Sequence, residues 1–117
     1  MVYVDGFVVA VPTAKKQTYL QHAETAGKVF KEYGALTVVE CWGDDVPDGK
    51  LTSFPMAVKR EANETVVFSW ITWPDRAKRD QGMKSAMADP RIAAIGSAMP
   101  FDGKRMIYGG FETILSL

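Results

Sequence analysis

Val2-Tyr3-Val4-Asp5-Gly6-Phe7-Val8-Val9-Ala10-Val11, stopped by Pro12, opens the chain. Both alternating sets of this run are apolar or small: Val4, Gly6, Val8 and Ala10 on one parity, Tyr3, Phe7 and Val9 around Asp5 on the other. A strand reading this way is covered on two faces, not one. Three more runs have the same character: Leu36 to Trp42, Thr65 to Trp73 and Arg105 to Ile114.

Between them lie two helical patterns. Thr13 opens the first, which extends to about Tyr33 with Tyr19, Ala23, Ala26, Phe30 and Tyr33 as one buried stripe and Gly34 suited to the left-handed residue beyond its end. Asp75 caps the second, which runs to about Ala88, where Asp89-Pro90 ends or bends it before a looser segment. Gly43 to Lys50 reads as an acidic turn-rich excursion, and Phe54 to Arg60 as an extended segment. The order strand, helix, strand, strand, helix, strand over residues 1–117 is that of one α+β domain: a ferredoxin-like βαββαβ antiparallel sheet with both helices on one face.

Two helices cover one face of four strands, so a second copy is expected to cover the other, pairing the sheets as a dimeric alpha-beta barrel. By size, Val4, Gly6, Val8 and Ala10 are assigned to the helix side, with Thr37, Val39 and Cys41, and with Val67, Ser69 and Ile71. The open face then carries Tyr3, Phe7, Trp42, Phe68, Trp70, Met106 and Tyr108, together with Asp5, Glu40 and Glu112. Space left at such an interface is a mostly apolar pocket with a few polar groups, the usual composition of a small-molecule site. Asp5 and Glu40 are the candidate catalytic residues, since desolvation raises a carboxyl pKa toward neutral pH. Tyr3, Trp42, Trp70 and Tyr108 are the candidate ligand-binding residues. The competing reading is a noncatalytic structural or interaction homodimer whose aromatic face serves only dimerisation.

Composition narrows the partners. Fourteen basic residues balance fourteen acidic ones without a run of either sign, which leaves no footprint for nucleic acid. No apolar stretch approaches the roughly 20 residues of a membrane span. A lone cysteine, Cys41, and the absence of a leader pattern place the protein in the cytoplasm. Cys41 is expected to be a buried, inert thiol, and His22, the one histidine, a helix-surface residue without metal-ligand spacing. Asp44, Asp45 and Asp48 offer oxygen ligands but lack the spacing of a calcium loop. No metal or cofactor is assigned.

The runs Tyr3-Val4-Asp5-Gly6-Phe7-Val8, Val39-Glu40-Cys41-Trp42-Gly43-Asp44-Asp45-Val46-Pro47-Asp48-Gly49-Lys50, Val67-Phe68-Ser69-Trp70 and Pro100-Phe101-Asp102-Gly103-Lys104-Arg105-Met106 carry a resemblance over nearly the whole chain. The chain resembles the YbaA-like family of uncharacterised bacterial proteins, which in turn resembles the dimeric alpha-beta barrel superfamily. The resemblance implies that fold and no particular reaction, so no catalytic residue is transferred. Relatives in the wider superfamily include cofactor-independent monooxygenases, haem-degrading enzymes, isomerising enzymes and stress-related barrels. The expected function is binding of a small, partly apolar molecule, with cofactor-independent catalysis as an open extension.

Overall fold

The computed structural model describes residues 1–117. Its elements are β1 (Tyr3–Pro12), α1 (Lys16–Glu32), β2 (Thr37–Trp42), α2 (Phe54–Ala57), β3 (Glu64–Trp73), α3 (Arg76–Met87), α4 (Pro90–Gly96) and β4 (Ile107–Glu112). The strands form one antiparallel sheet in the order β2-β3-β1-β4. Each long helix thus carries the chain over an intervening strand, the ferredoxin-like split arrangement.

Local chemistry sets most of the boundaries. α1 ends in a Schellman turn: the Ala35 N–H donates to the Phe30 carbonyl at 3.0 Å, the Gly34 N–H to Lys31, and Gly34 takes φ +111°. The Asp75 carboxylate accepts from the Lys78 N–H at 2.8 Å and starts α3. Three segments depart from expectation. Thr13 does not cap α1: it begins a single 3-10 turn, and its hydroxyl meets that of Thr65 at 2.6 Å. Phe54 to Arg60 is not extended, because Ser53 accepts from the Met56 N–H and Pro55 sits in the first turn, which starts the short helix α2. The looser segment after Asp89 contains α4, since a proline that cannot continue one helix is well suited to begin the next.

The largest correction concerns the faces of the sheet. Val9, Val11 and Val67 pack against Tyr19 and Ala23 of α1, while Ile71 and Trp73 pack with Tyr3, Phe7, Phe30, Val38 and Met83. The helix side therefore holds Tyr3, Asp5, Phe7, Glu40, Trp42 and, through pairing with Phe7, Tyr108. Glu112, opposite Tyr3, and Met106, packed on the α1 cluster, lie on that side too. The open side holds Val4, Gly6, Thr37, Val39, Cys41, Phe68, Trp70, Ile107 and Phe111. The assignment by size is right for β3 and inverted for β1, β2 and β4. Bulk belongs under the helices because α1 presents Ala23, Ala26 and Gly27 toward the sheet, so the sheet must fill the space. Part of the open side is capped within the protomer, where Val58 closes over Val8, Ala10 and Val66. No helix is long and apolar enough to cross a membrane.

Candidate functional site

Between the sheet, α1 and α4 lies a cavity of about 340 Å³. Its floor is Phe7, Val9, Val38 and Ile71; α1 contributes Ala26 and Phe30, and α4 contributes Ile92 and Ile95. Four polar side chains reach this apolar space: Tyr19, His22, Glu40 and Ser69. No lysine or arginine lines it. The Tyr19 hydroxyl donates to Glu40 Oε1 at 2.6 Å, so the tyrosine of the α1 stripe finds its partner on the edge strand β2.

The surroundings act on each titratable group. Burial raises the Glu40 pKa above the ordinary carboxylate value, against the hydrogen bond from Tyr19, which lowers it. Glu40 as a whole is exposed, because its flank runs along the free edge of β2. The carboxyl group itself lies against Tyr19 and the cavity wall, and it is this group whose desolvation counts. Tyr19 is pushed far above the usual phenol range by burial and by the negative charge of Glu40. Burial lowers the His22 pKa, which favours its neutral form. The cavity thus combines an apolar lining with one carboxyl group of enhanced affinity for a proton.

Of the six residues singled out in the sequence, Glu40 alone lines this cavity. Asp5 is 3% exposed and bound elsewhere. Arg79 Nη2 donates to its Oδ1 at 2.7 Å, Arg79 Nε to both oxygens at 3.1 Å, and Trp73 Nε1 to Oδ2 at 2.9 Å. Tyr3 belongs to the same clamp, with the Arg79 guanidinium 5.1 Å from its ring centre. Trp42 packs at the edge of the α1 cluster with Lys16 Nζ 5.4 Å from its ring. Tyr108 is 73% exposed and stacks on Phe7, and Trp70 lies on the open side beside Phe68. Cys41 is half-buried on the open side, not under the helices. No group of three or more His, Cys, Asp or Glu side chains is placed to hold a metal ion, and Asp48 lies 3.8 Å from Arg60.

Residues 2–103 match the family model for proteins of unknown function DUF1428. The chain belongs to the DUF1428 family. Its DUF1428 relatives include YbaA of Escherichia coli strain K12 and YbaA of Shigella flexneri, each 61% identical over 115 residues, which is 98% of both chains. Among solved structures, SnoaB from Streptomyces nogalater, a cofactor-independent oxygenase, superposes with a TM-score of 0.62 at 12% identity, covering 99% of this chain and 96% of that one. A NIPSNAP domain protein from Burkholderia xenovorans gives a TM-score of 0.60 at 17% identity, covering 95% and 93%. The DUF1428 chain shares the ferredoxin-like fold of both.

The sequence reading passed over Tyr19, Ser69 and His22 as site residues. His22 is half-buried, with its ring 5.8 Å from Phe101 and 6.5 Å from Tyr19, instead of lying on the helix surface. The available signals were a hydroxyl in the buried stripe of α1 and a serine between Phe68 and Trp70, both polar groups that need partners where the chain is otherwise apolar.

Proposed function

We propose that this DUF1428 protein works as a homodimer whose subunits each bind a small, uncharged, largely apolar molecule in the cavity between sheet and helices. Glu40 exchanges a proton with that molecule. The observation that carries this reading is the Tyr19–Glu40 pair at the wall of an apolar cavity without a cationic side chain. The volume equals the liquid share of about eleven waters, which sets the ligand at on the order of ten to fifteen non-hydrogen atoms. SnoaB, named a cofactor-independent oxygenase, supports cofactor-free chemistry as one use of this fold. Asp5, fully engaged by Arg79 and Trp73, serves to hold α3 on the sheet. The homodimer is supported by the apolar open face around Phe68, Trp70, Ile107 and Phe111 and by a fold shared with the two solved structures, whose superfamily forms dimeric barrels.

1-Naphthol, an uncharged fluorescent molecule of suitable size, tests the cavity. Saturable binding at one site per subunit is expected, weakened tenfold or more by Ala26→Leu, which fills the space. No saturable binding, or equal binding by the variant, rejects the cavity in favour of the purely structural homodimer. A carbon-13 titration of the Glu40 carboxyl tests the proton role. A midpoint above the ordinary value of about 4.3 supports it, and one at or below that value rejects it.

A further inference from the structure

Ser69 is a buried hydroxyl of the cavity without a protein partner. It stands in the middle of a row across the sheet, directly opposite Glu40 on β2 and Phe7 on β1. All three line the cavity, and Ser69 is the smallest of them, so it leaves open space between its two neighbours. The residue is 5% exposed. The Tyr19 hydroxyl is committed to Glu40 Oε1, and the Ser69 hydroxyl takes part in no hydrogen bond with the protein. Every fully enclosed polar side-chain atom of the fold does have a partner. The remaining exposure of Ser69 is therefore at its hydroxyl, which opens into the cavity.

A lone hydroxyl in an apolar wall is costly to bury, and a bound molecule that accepts its hydrogen removes that cost. Directly opposed residues of neighbouring strands have Cβ atoms about 4.5–5.5 Å apart. The Ser69 hydroxyl and the Glu40 carboxyl can thus address adjacent atoms of one ligand. Tyr19 holds Oε1 of Glu40, while Oε2 has no donor from the protein. A free donor beside a free basic oxygen matches a carbonyl oxygen and the hydrogen on the carbon next to it.

We propose that Ser69 binds the carbonyl oxygen of an enolisable ketone while Glu40 takes the proton from the adjacent carbon. This rests on the cavity reading above and names its substrate class. The C–H bond breaks toward Glu40 Oε2, and the carboxylate becomes a carboxylic acid. The C–H electron pair forms the carbon–carbon double bond, and the carbonyl π pair moves onto oxygen as an enolate. The Ser69 O–H bonds that oxygen more strongly as its charge grows. Return of the proton from Glu40 restores the ketone, and the cycle balances without a second reactant.

The test uses 2-tetralone, an uncharged ketone of suitable size, and tetralin, the same skeleton without the carbonyl. Displacement of 1-naphthol, whose own affinity is measured for each variant, reads their binding. Ser69→Ala weakens 2-tetralone about tenfold or more and leaves tetralin within about twofold, and Ser69→Thr, which keeps the hydroxyl, restores the difference. In heavy water at neutral pH, proton NMR follows loss of the hydrogens beside the carbonyl. The wild type accelerates that loss, Ser69→Ala slows the bound-state rate about tenfold or more, and Glu40→Gln abolishes it. Ser69→Ala that binds 2-tetralone as the wild type does, or loses both ligands equally, overturns the role of Ser69 while leaving the cavity standing. A wild type that binds 2-tetralone without accelerating the exchange overturns the proton transfer and the proposal with it. A wild type that binds none of the three molecules overturns the cavity reading itself.

Discussion

Arg79→Met removes the cation from a largely buried ion pair of the fold while keeping most of the apolar stem. Asp5 then loses both the 2.7 Å bond from Nη2 and the two 3.1 Å contacts from Nε, leaving Trp73 Nε1 as its one side-chain donor. Breaking a fully buried pair on one side costs about 3–5 kcal/mol, because the surviving charge stays desolvated. The Arg79 side chain is 23% exposed, so water reaches the site and screens part of that cost, which brings the expected loss to about 2–4 kcal/mol. Urea unfolding at pH 7, followed by tryptophan fluorescence, measures it at one fixed protomer concentration, since dimerisation couples to folding. The double variant Asp5→Asn/Arg79→Met removes the stranded charge and is expected to lose less than the sum of the single variants by about 1.5–3 kcal/mol. A loss under about 0.5 kcal/mol for Arg79→Met, or strict additivity in the double variant, refutes the assignment of Asp5 to the clamp.

Two further outcomes follow from the geometry. Hydrogen bonds from Arg105 hold the Glu64 carboxyl below its ordinary value, and Arg91 does the same for Asp89. Groups lowered on folding contribute stability above their unfolded values near 4 and lose it as pH falls through the folded values, so stability should decline below about pH 4.5. Glu64→Gln should flatten that decline, and an unchanged acid slope contradicts the assignment. At Gly82 an added Cβ would lie 2.4 Å from the Trp73 ring and 2.6 Å from the Tyr33 carbonyl oxygen, whereas at Gly96 it meets nothing within 4 Å. Gly82→Ala is therefore expected to destabilise by about 1–3 kcal/mol and Gly96→Ala to be neutral or mildly stabilising; equal thermal midpoints for the two variants contradict this.

Much of the architecture was legible in residue order. The alternating runs ending at Pro12, Trp42 and Trp73 gave the strands, Gly34 and Asp75 gave helix boundaries, and their sequence gave the split βαββαβ arrangement. Which face each strand shows to the helices was not legible, because both parities of β1 are apolar and each strand was judged alone. Register couples them: Gly6 pairs with Trp70 and Tyr3 with Trp73, so β1 and β3 could not both follow the rule of small residues under helices. The cavity escaped for a related reason. Glu40 stood out as a carboxylate in an apolar strand, but its partner Tyr19 lies 21 positions away on another element.

The sequence by itself determined the four strands and two long helices, their order and the two-sided apolar character of the sheet, because hydrophobic period, caps and breakers act over a few residues. Tertiary structure alone decided that Asp5 is neutralised by Arg79 and that Glu40 meets Tyr19 at a cavity. Those outcomes depend on strand register and on which helix lies over which strand. The contacts that fix these join residues far apart in the chain, and no local pattern encodes them.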